Sequence, residues 1–235
     1  MRMVQRSNFG AIAFLVFALV LVLAATAWAR GVPGVSRDLH AAPTAASTAA
    51  KSSCPGSLGN PGVQPPNAKL LGKTYGEWGA AWWQWVFSVP YPSTPIFDPS
   101  GQSCGLNQSG PVWFLAGSAI GPVTRSCVVP ADKALFFPIA NLEDDWPCPW
   151  PFGPAPGQSL EDFLTADAAN YVAYITDLNA TVDGVPLVNL FCYRGTSHLF
   201  TFTGDPALTA VFDPCITGTP QQAVNRAGFS GELFT

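Results

Sequence analysis

Residues 74–86 read TYGEWGAAWWQWV. Thr74 followed three places later by Glu77 is a capping box, in which two side chains satisfy backbone N–H groups at a helix start. Tyr75, Trp78, Trp82 and Trp85 then recur at steps of three and four, which lines four aromatic rings along one helical face. A helix this apolar predicts a plug that other elements pack around. Trp83 falls off the main face and is the aromatic expected at the surface. Gly76 and Gly79 lower helix propensity and let another element approach closely.

Outward from this helix the signals are strand-like. Val112–Ala116 reads VWFLA, and Ser126–Val129, Ala134–Ile139 and His198–Thr203 follow. Asp183-Gly184 between a short β-branched run and Val185–Phe191 is a hairpin signal. A second helix is expected in Ser159–Asp177, capped by Ser159 with Asp162, with Phe163, Ala166, Asn170 and Tyr174 sharing a face. Tyr171–Ile175 reads equally as helix or strand. The chain holds 22 glycines and 23 prolines in 235 residues, which excludes a fold of long helices. The expected class is mainly β: a β-sandwich or jelly-roll-like single domain with one or two peripheral or plugging helices. Thr217–Thr235 offers no strand signal, so a sheet edge is expected to stay open and to be available for self-association.

The N-terminal segment places the chain. Arg2 and Arg6 precede an uncharged run from Phe9 to Ala29, and Ala27-Trp28-Ala29 matches the small-x-small pattern of signal cleavage. Residues 1–29 are therefore read as a signal peptide. The alternative is an uncleaved anchor, and the membrane is a partner only if residues 9–29 stay attached. Residues 30–68 read as a low-complexity linker and 69–235 as a β-rich globular domain. Cleavage would remove two arginines and no acid, taking the formal charge from −4 to −6. That balance excludes nucleic acid as a partner. All six cysteines, Cys54, Cys104, Cys127, Cys148, Cys192 and Cys215, lie beyond the signal and are disulfide candidates in a secreted or cell-surface protein. Near-neighbour pairing would join Cys104 to Cys127 and Cys192 to Cys215, leaving Cys54 with Cys148.

Few residues carry chemistry. The aromatics Trp83, Trp146 and Trp150 are candidate ligand contacts, because exposed indoles stack on the flat apolar faces of sugars. Arg125 and Arg194 are candidate polar contacts, and structural pairing is the competing reading for both. Glu143-Asp144-Asp145 is the densest charge cluster. With Asn141 it forms a calcium-ligand candidate set, although a solvated acidic loop is the preferred reading. No cofactor is otherwise expected. His198 is the one histidine of the globular part, Ser197 beside it points to the opposite face if both lie in a strand, and no G-x-S-x-G occurs. Asp98, Glu143, Asp144 and Asp183 are the carboxylates from which a glycosidase pair could be drawn.

Several blocks resemble a widespread group of secreted bacterial proteins without an assigned activity. They are EWGAAWWQW (77–85), NQSGPVWFLAG (107–117), RSCVVP (125–130), KALFFPI (133–139), and Val182-Asp183-Gly184 through Asn189-Leu190 to Tyr193-Arg194. The likeness covers roughly residues 74–202 and implies export, not a reaction. Members of that group continue into further C-terminal strands that this chain lacks. The functional expectation is a secreted or cell-surface, non-enzymatic binding domain with a surface glycan or a protein as partner. The alternatives are a secreted carbohydrate-acting hydrolase and an extracellular matrix or filament subunit.

Overall fold

The structure is a computed structural model that describes residues 4–5, 54, 59–149 and 153–226. Apart from Val4 and Gln5, residues 1–29, read above as an export signal, fall outside the described residues, as does most of the segment 30–68 read as a linker. Helix α1 spans Tyr75–Ser88 and starts on the expected capping box: Glu77 N donates to Thr74 Oγ1 at 3.3 Å, and Thr74 N donates to Glu77 Oε2 at 2.7 Å. It ends where Pro90 disfavours a helical conformation at Val89, which is extended.

Tyr75, Trp78, Trp82 and Trp85 are all buried, as the spacing predicts. Three of the indoles resolve their polar edge on loop carbonyls. Trp78 Nε1 donates to Leu70 O at 3.1 Å, Trp82 Nε1 to Leu115 O at 2.9 Å and Trp85 Nε1 to Leu106 O at 2.8 Å. Irregular segments thus wrap the helix and satisfy it, which is how so many tryptophans can share one core. Trp83 corrects the sequence reading. It is 5% exposed and stacks on Phe87 with ring centroids 5.3 Å apart. The helix is buried on both sides, so an off-face position does not lead to solvent.

The strands are short. β1 (Val112–Phe114) runs parallel to β3 (Ala134–Phe136), and β2 (Val123–Thr124) pairs with Val4–Gln5. β4 (Glu143–Trp146), β7 (Phe200–Phe202) and β8 (Gln221–Asn225) form an antiparallel sheet in the order β4-β8-β7. β5 (Thr181–Val182) and β6 (Val185–Pro186) make the hairpin announced by Asp183-Gly184, whose φ values of 51° and 81° are those of a two-residue primed turn. Strands hold 18% of the described residues and α-helices number two among them, so the fold is mostly non-helical, with strands in small separate sheets rather than the two packed sheets a β-sandwich or jelly roll would need.

Helix α2 spans Leu160–Val172 on a Ser159 cap and buries Leu164, Ala168 and Val172. The expected face of Phe163, Ala166, Asn170 and Tyr174 is the wrong stripe; Ala166, Asn170 and Tyr174 are exposed. α1 packs on β7 and β8, and α2 on β4 and β8. Val224 and its neighbours Ala223 and Asn225 are all fully buried, so β8 is covered on both faces.

Three local expectations are corrected. Gln221–Asn225, inside the stretch without strand signal, is the middle strand of the sheet. Ser126–Val129 forms no strand, and pairing occurs at Val123–Thr124 instead. Val185–Phe191 is extended only to Pro186 and then turns into the 3-10 segment Leu190–Tyr193.

The cysteines form three disulfides, Cys104–Cys127, Cys54–Cys192 and Cys148–Cys215. The first is the near-neighbour pair expected. The other two correct the proposed Cys192–Cys215 and Cys54–Cys148 pairs. Asn60 explains one of them. Its amide exchanges two hydrogen bonds with the Val188 backbone, at 2.9 and 2.8 Å, and reaches the Tyr193 hydroxyl at 3.0 Å. The N-terminal arm is therefore clasped to the segment that carries Cys192, and residues 59–68 pack on the domain.

Candidate functional site

β4 is the element that gathers charge. Alternation along the strand sends Glu143 and Asp145 to one face and Asp144 and Trp146 to the other. Glu143 lies opposite Asn225 and Asp145 opposite Ala223, so this face carries the Asn225 side that α1 covers. Asp144 lies opposite Val224 and meets Asp167 of α2. The acidic run is thus not a solvated loop: Glu143 is 8% and Asp145 2% exposed. The four calcium-ligand candidates are split by the strand, and Asn141, half-buried before it, has both amide atoms without partners.

Five carboxyls come together here: Glu143, Asp144, Asp145, Asp167 and Asp213. Burial raises Glu143 well above its ordinary range, and the charges of Asp145, Asp213 and Asp144 add to the effect. Burial followed by the charges of Asp167 and Asp213 lifts Asp144 to about 7. Burial followed by Asp213 and Asp144 lifts Asp145 to about 8. Asp167 and Asp213 are raised by burial too. The Lys133–Asp132 and His198–Glu161 ion pairs lie away from this cluster.

One tyrosine, Tyr171, stands beside it, and a second, Tyr174, lies next to that one. Tyr171 is 59% and Tyr174 83% exposed, and the electrostatic surroundings of Tyr171 include Asp167, Asp144, Asp213 and Tyr174. Asp167, Tyr171 and Tyr174 follow one another at steps of four and three. That stripe was visible in the sequence and is the signal that could have found them. Asp213 reaches the cluster from a loop some 70 positions from β4, and nothing local marks it.

The remaining candidates are distributed elsewhere. Trp146 is half-buried and covers Gly153, where an added Cβ would come within 3.0 Å of the indole. Trp150 lies outside the described residues. Arg194 is exposed and lies near Arg226. Arg125 is spent on backbone: Nε donates to Asp98 O, and one terminal nitrogen to Ala116 O at 2.9 Å and Gly117 O at 2.6 Å. With Asp98, Leu115, Val123 and the Cys104–Cys127 bridge it lines a cavity of about 80 Å³, room for water and not for a sugar ring.

Asp98 is a structural hub. It accepts from Ser100 N at 2.8 Å, Ser100 Oγ at 2.7 Å and Ser103 N at 2.7 Å. Burial pushes its pKa up, but the hydrogen bonds from Ser103, Ser100 and Gly101 together outweigh that and hold it at about 2. A depressed carboxyl stabilises the fold above its unfolded value and ceases to do so as pH falls through its folded value. Asp98→Asn is therefore expected to lower stability at pH 7 by about 1.5–3 kcal/mol. The difference from wild type should shrink between about pH 4 and pH 2 in urea titrations. A gap that stays constant down to pH 2 would contradict this account.

Ser197 and His198 do separate to opposite sides. Ser197 is buried and its Oγ accepts from Asn225 N at 2.8 Å, while the His198 side chain is 91% exposed and meets Glu161 at 2.8 Å. No serine–histidine pair forms there. No family model, curated protein or solved structure matches the chain. The fold and cysteines define a small, mostly non-helical protein with three disulfides, consistent with an extracellular location. No helix among the described residues is long and apolar enough to cross a membrane.

Proposed function

We propose that the chain is a secreted or cell-surface, non-enzymatic binding domain whose ligand is a surface glycan held by Tyr171 and Tyr174. The observation that carries this reading is the exposure of Tyr171 and Tyr174, with Tyr171 beside the carboxyls of Asp167 and Asp144. Phenol rings stack on the apolar faces of sugars, and neighbouring carboxyls bond their hydroxyls. The export pattern of residues 1–29 and the likeness to secreted bacterial proteins belong to the same proposal. The hydrolase alternative has less support. A glycosidase needs two carboxyls roughly 5–9 Å apart across a cleft, whereas Asp144 and Asp167 perturb each other's titration as members of one carboxyl cluster. The assembly alternative keeps its motive in β4 and β7, the outer strands of the sheet in which β8 is the middle one; the exposed tyrosines favour the binding reading over it.

Retention on insoluble cell-wall polysaccharides tests the proposal. Tyr171→Ala and Tyr174→Ala are each expected to weaken retention by up to about ten-fold. Both side chains are exposed, so the thermal midpoint should stay put. Unchanged retention of the double variant, or release of reducing ends from the polysaccharide, would overturn it.

A further inference from the structure

We propose that Asp145 and Asp213, together with the side-chain oxygen of Gln221, form a site for a hard divalent cation of the calcium class. This goes beyond the glycan reading and does not depend on it. The groups converge on one residue, Cys215. Its N–H donates to Asp213 Oδ1 at 2.8 Å, and its carbonyl accepts from Gln221 Nε2. Oxygens of Asp145 and Asp213 and the Cys215 sulfur all lie within 4.8 Å of one another. That sulfur is bonded to Cys148, so no thiolate is offered.

Gln221 is the independent pointer. It is fully buried, at 0% exposure. Its Nε2 is held by two carbonyls, those of Cys215 and Pro147, which fixes the orientation of the amide. Oε1 is then the end left without a donor. Asp145 Oδ2 is likewise buried without a partner, as is Glu143 Oε2 two residues away on the same strand face. Apart from the Cys215 N–H on Asp213, no donor among the described residues faces these oxygens, and a buried acceptor without a donor is costly. Oxygen-only donors, two or three of them carboxylate, match calcium rather than zinc or copper. Magnesium demands near-ideal octahedral placement and fits a set of side chains from three separate segments less well.

Calcium chloride alone is the probe, titrated into the oxidised, chelator-treated full chain. Thermal midpoint and heat of binding are followed over about 0.1–10 mM, the range of extracellular calcium modules. One calcium per chain and a rising midpoint are expected. Asp213→Asn and Asp145→Asn should each weaken binding at least about ten-fold, with the disulfides intact. A wild-type chain indifferent to calcium over the whole range overturns the site, whatever the variants do. So does a double variant that binds calcium as tightly as wild type. If Asp145→Asn raises the midpoint while calcium leaves wild type unmoved, retained protons neutralise the cluster and the proposal is wrong. Polysaccharide retention scored in chelator keeps this result separate from the glycan proposal.

Discussion

Gly76→Ala is expected to destabilise the domain by about 3 kcal/mol or more, although alanine is the better helix former by about 1 kcal/mol. The reason is close approach. A Cβ on Gly76 would lie 2.0 Å from the Thr196 carbonyl oxygen, 2.4 Å from its carbon and 3.0 Å from Ser197 N. All three are backbone atoms and cannot swing aside. They are held in turn by the sheet: Thr196 bridges to Arg226, and Ser197 N donates to Asn225 O at 2.8 Å. Making room means lifting α1 from the end of β8. Gly79 is packed nearly as tightly, but its Cβ would meet the Asn225 side chain, at 2.1 Å. Gly105 is the control, since a Cβ there meets nothing within 4 Å. Urea unfolding should put Gly105→Ala within about 0.5 kcal/mol of wild type. A Gly76→Ala protein as stable as the control would mean that α1 does not sit on this strand.

The second large effect concerns the disulfides. Removing Cys54–Cys192 by serine pairs should cost most, because it closes the longest loop. The sequence separations are 138, 67 and 23 for Cys54–Cys192, Cys148–Cys215 and Cys104–Cys127. Chain entropy then assigns about 5, 4 and 3 kcal/mol in that order. Cys54 anchors the arm that places Asn60 against Val188 and Tyr193, so its loss frees native contacts as well as unfolded chain. Midpoints of urea unfolding for the three serine-pair variants test the order, and peptide mapping under non-reducing conditions tests the pairing. Peptides joining Cys54 to Cys148 and Cys192 to Cys215 would refute the connectivity. A Cys54–Cys192 variant that proved the mildest of the three would refute the loop argument.

The acidic strand shows where sequence reading stops. Glu143-Asp144-Asp145 has the composition of an exposed loop, and like charges in a row argue against burial. What makes it a strand is Gln221–Asn225, about 80 positions later, which supplies its hydrogen-bonding partner. That partner is itself poor in β-branched residues, so neither half announces the pair. The site shares this fate. Asp145, Asp213 and Gln221 belong to three segments, and only the folded sheet and the Cys148–Cys215 bridge bring them together. The steps of four and three from Asp167 to Tyr171 and Tyr174 were present in the sequence, but the helical face read there was Phe163, Ala166, Asn170 and Tyr174, and Tyr174 lies just past the end of α2.

What could be read without coordinates was local. The capping box of Thr74 and Glu77, the aromatic stripe of α1, the Asp183-Gly184 hairpin and the Cys104–Cys127 bridge each depend on residues close in the chain, where geometry follows directly from spacing. Tertiary structure decided the rest: that Trp83 is interior, that Gln221–Asn225 lies between two strands, that Cys54 finds Cys192, and which carboxyls share a face. Those outcomes turn on which distant segments bury one another. Sequence-local propensities of a few tenths of a kcal/mol to about 1 kcal/mol per residue are overruled there by packing and pairing terms several times larger.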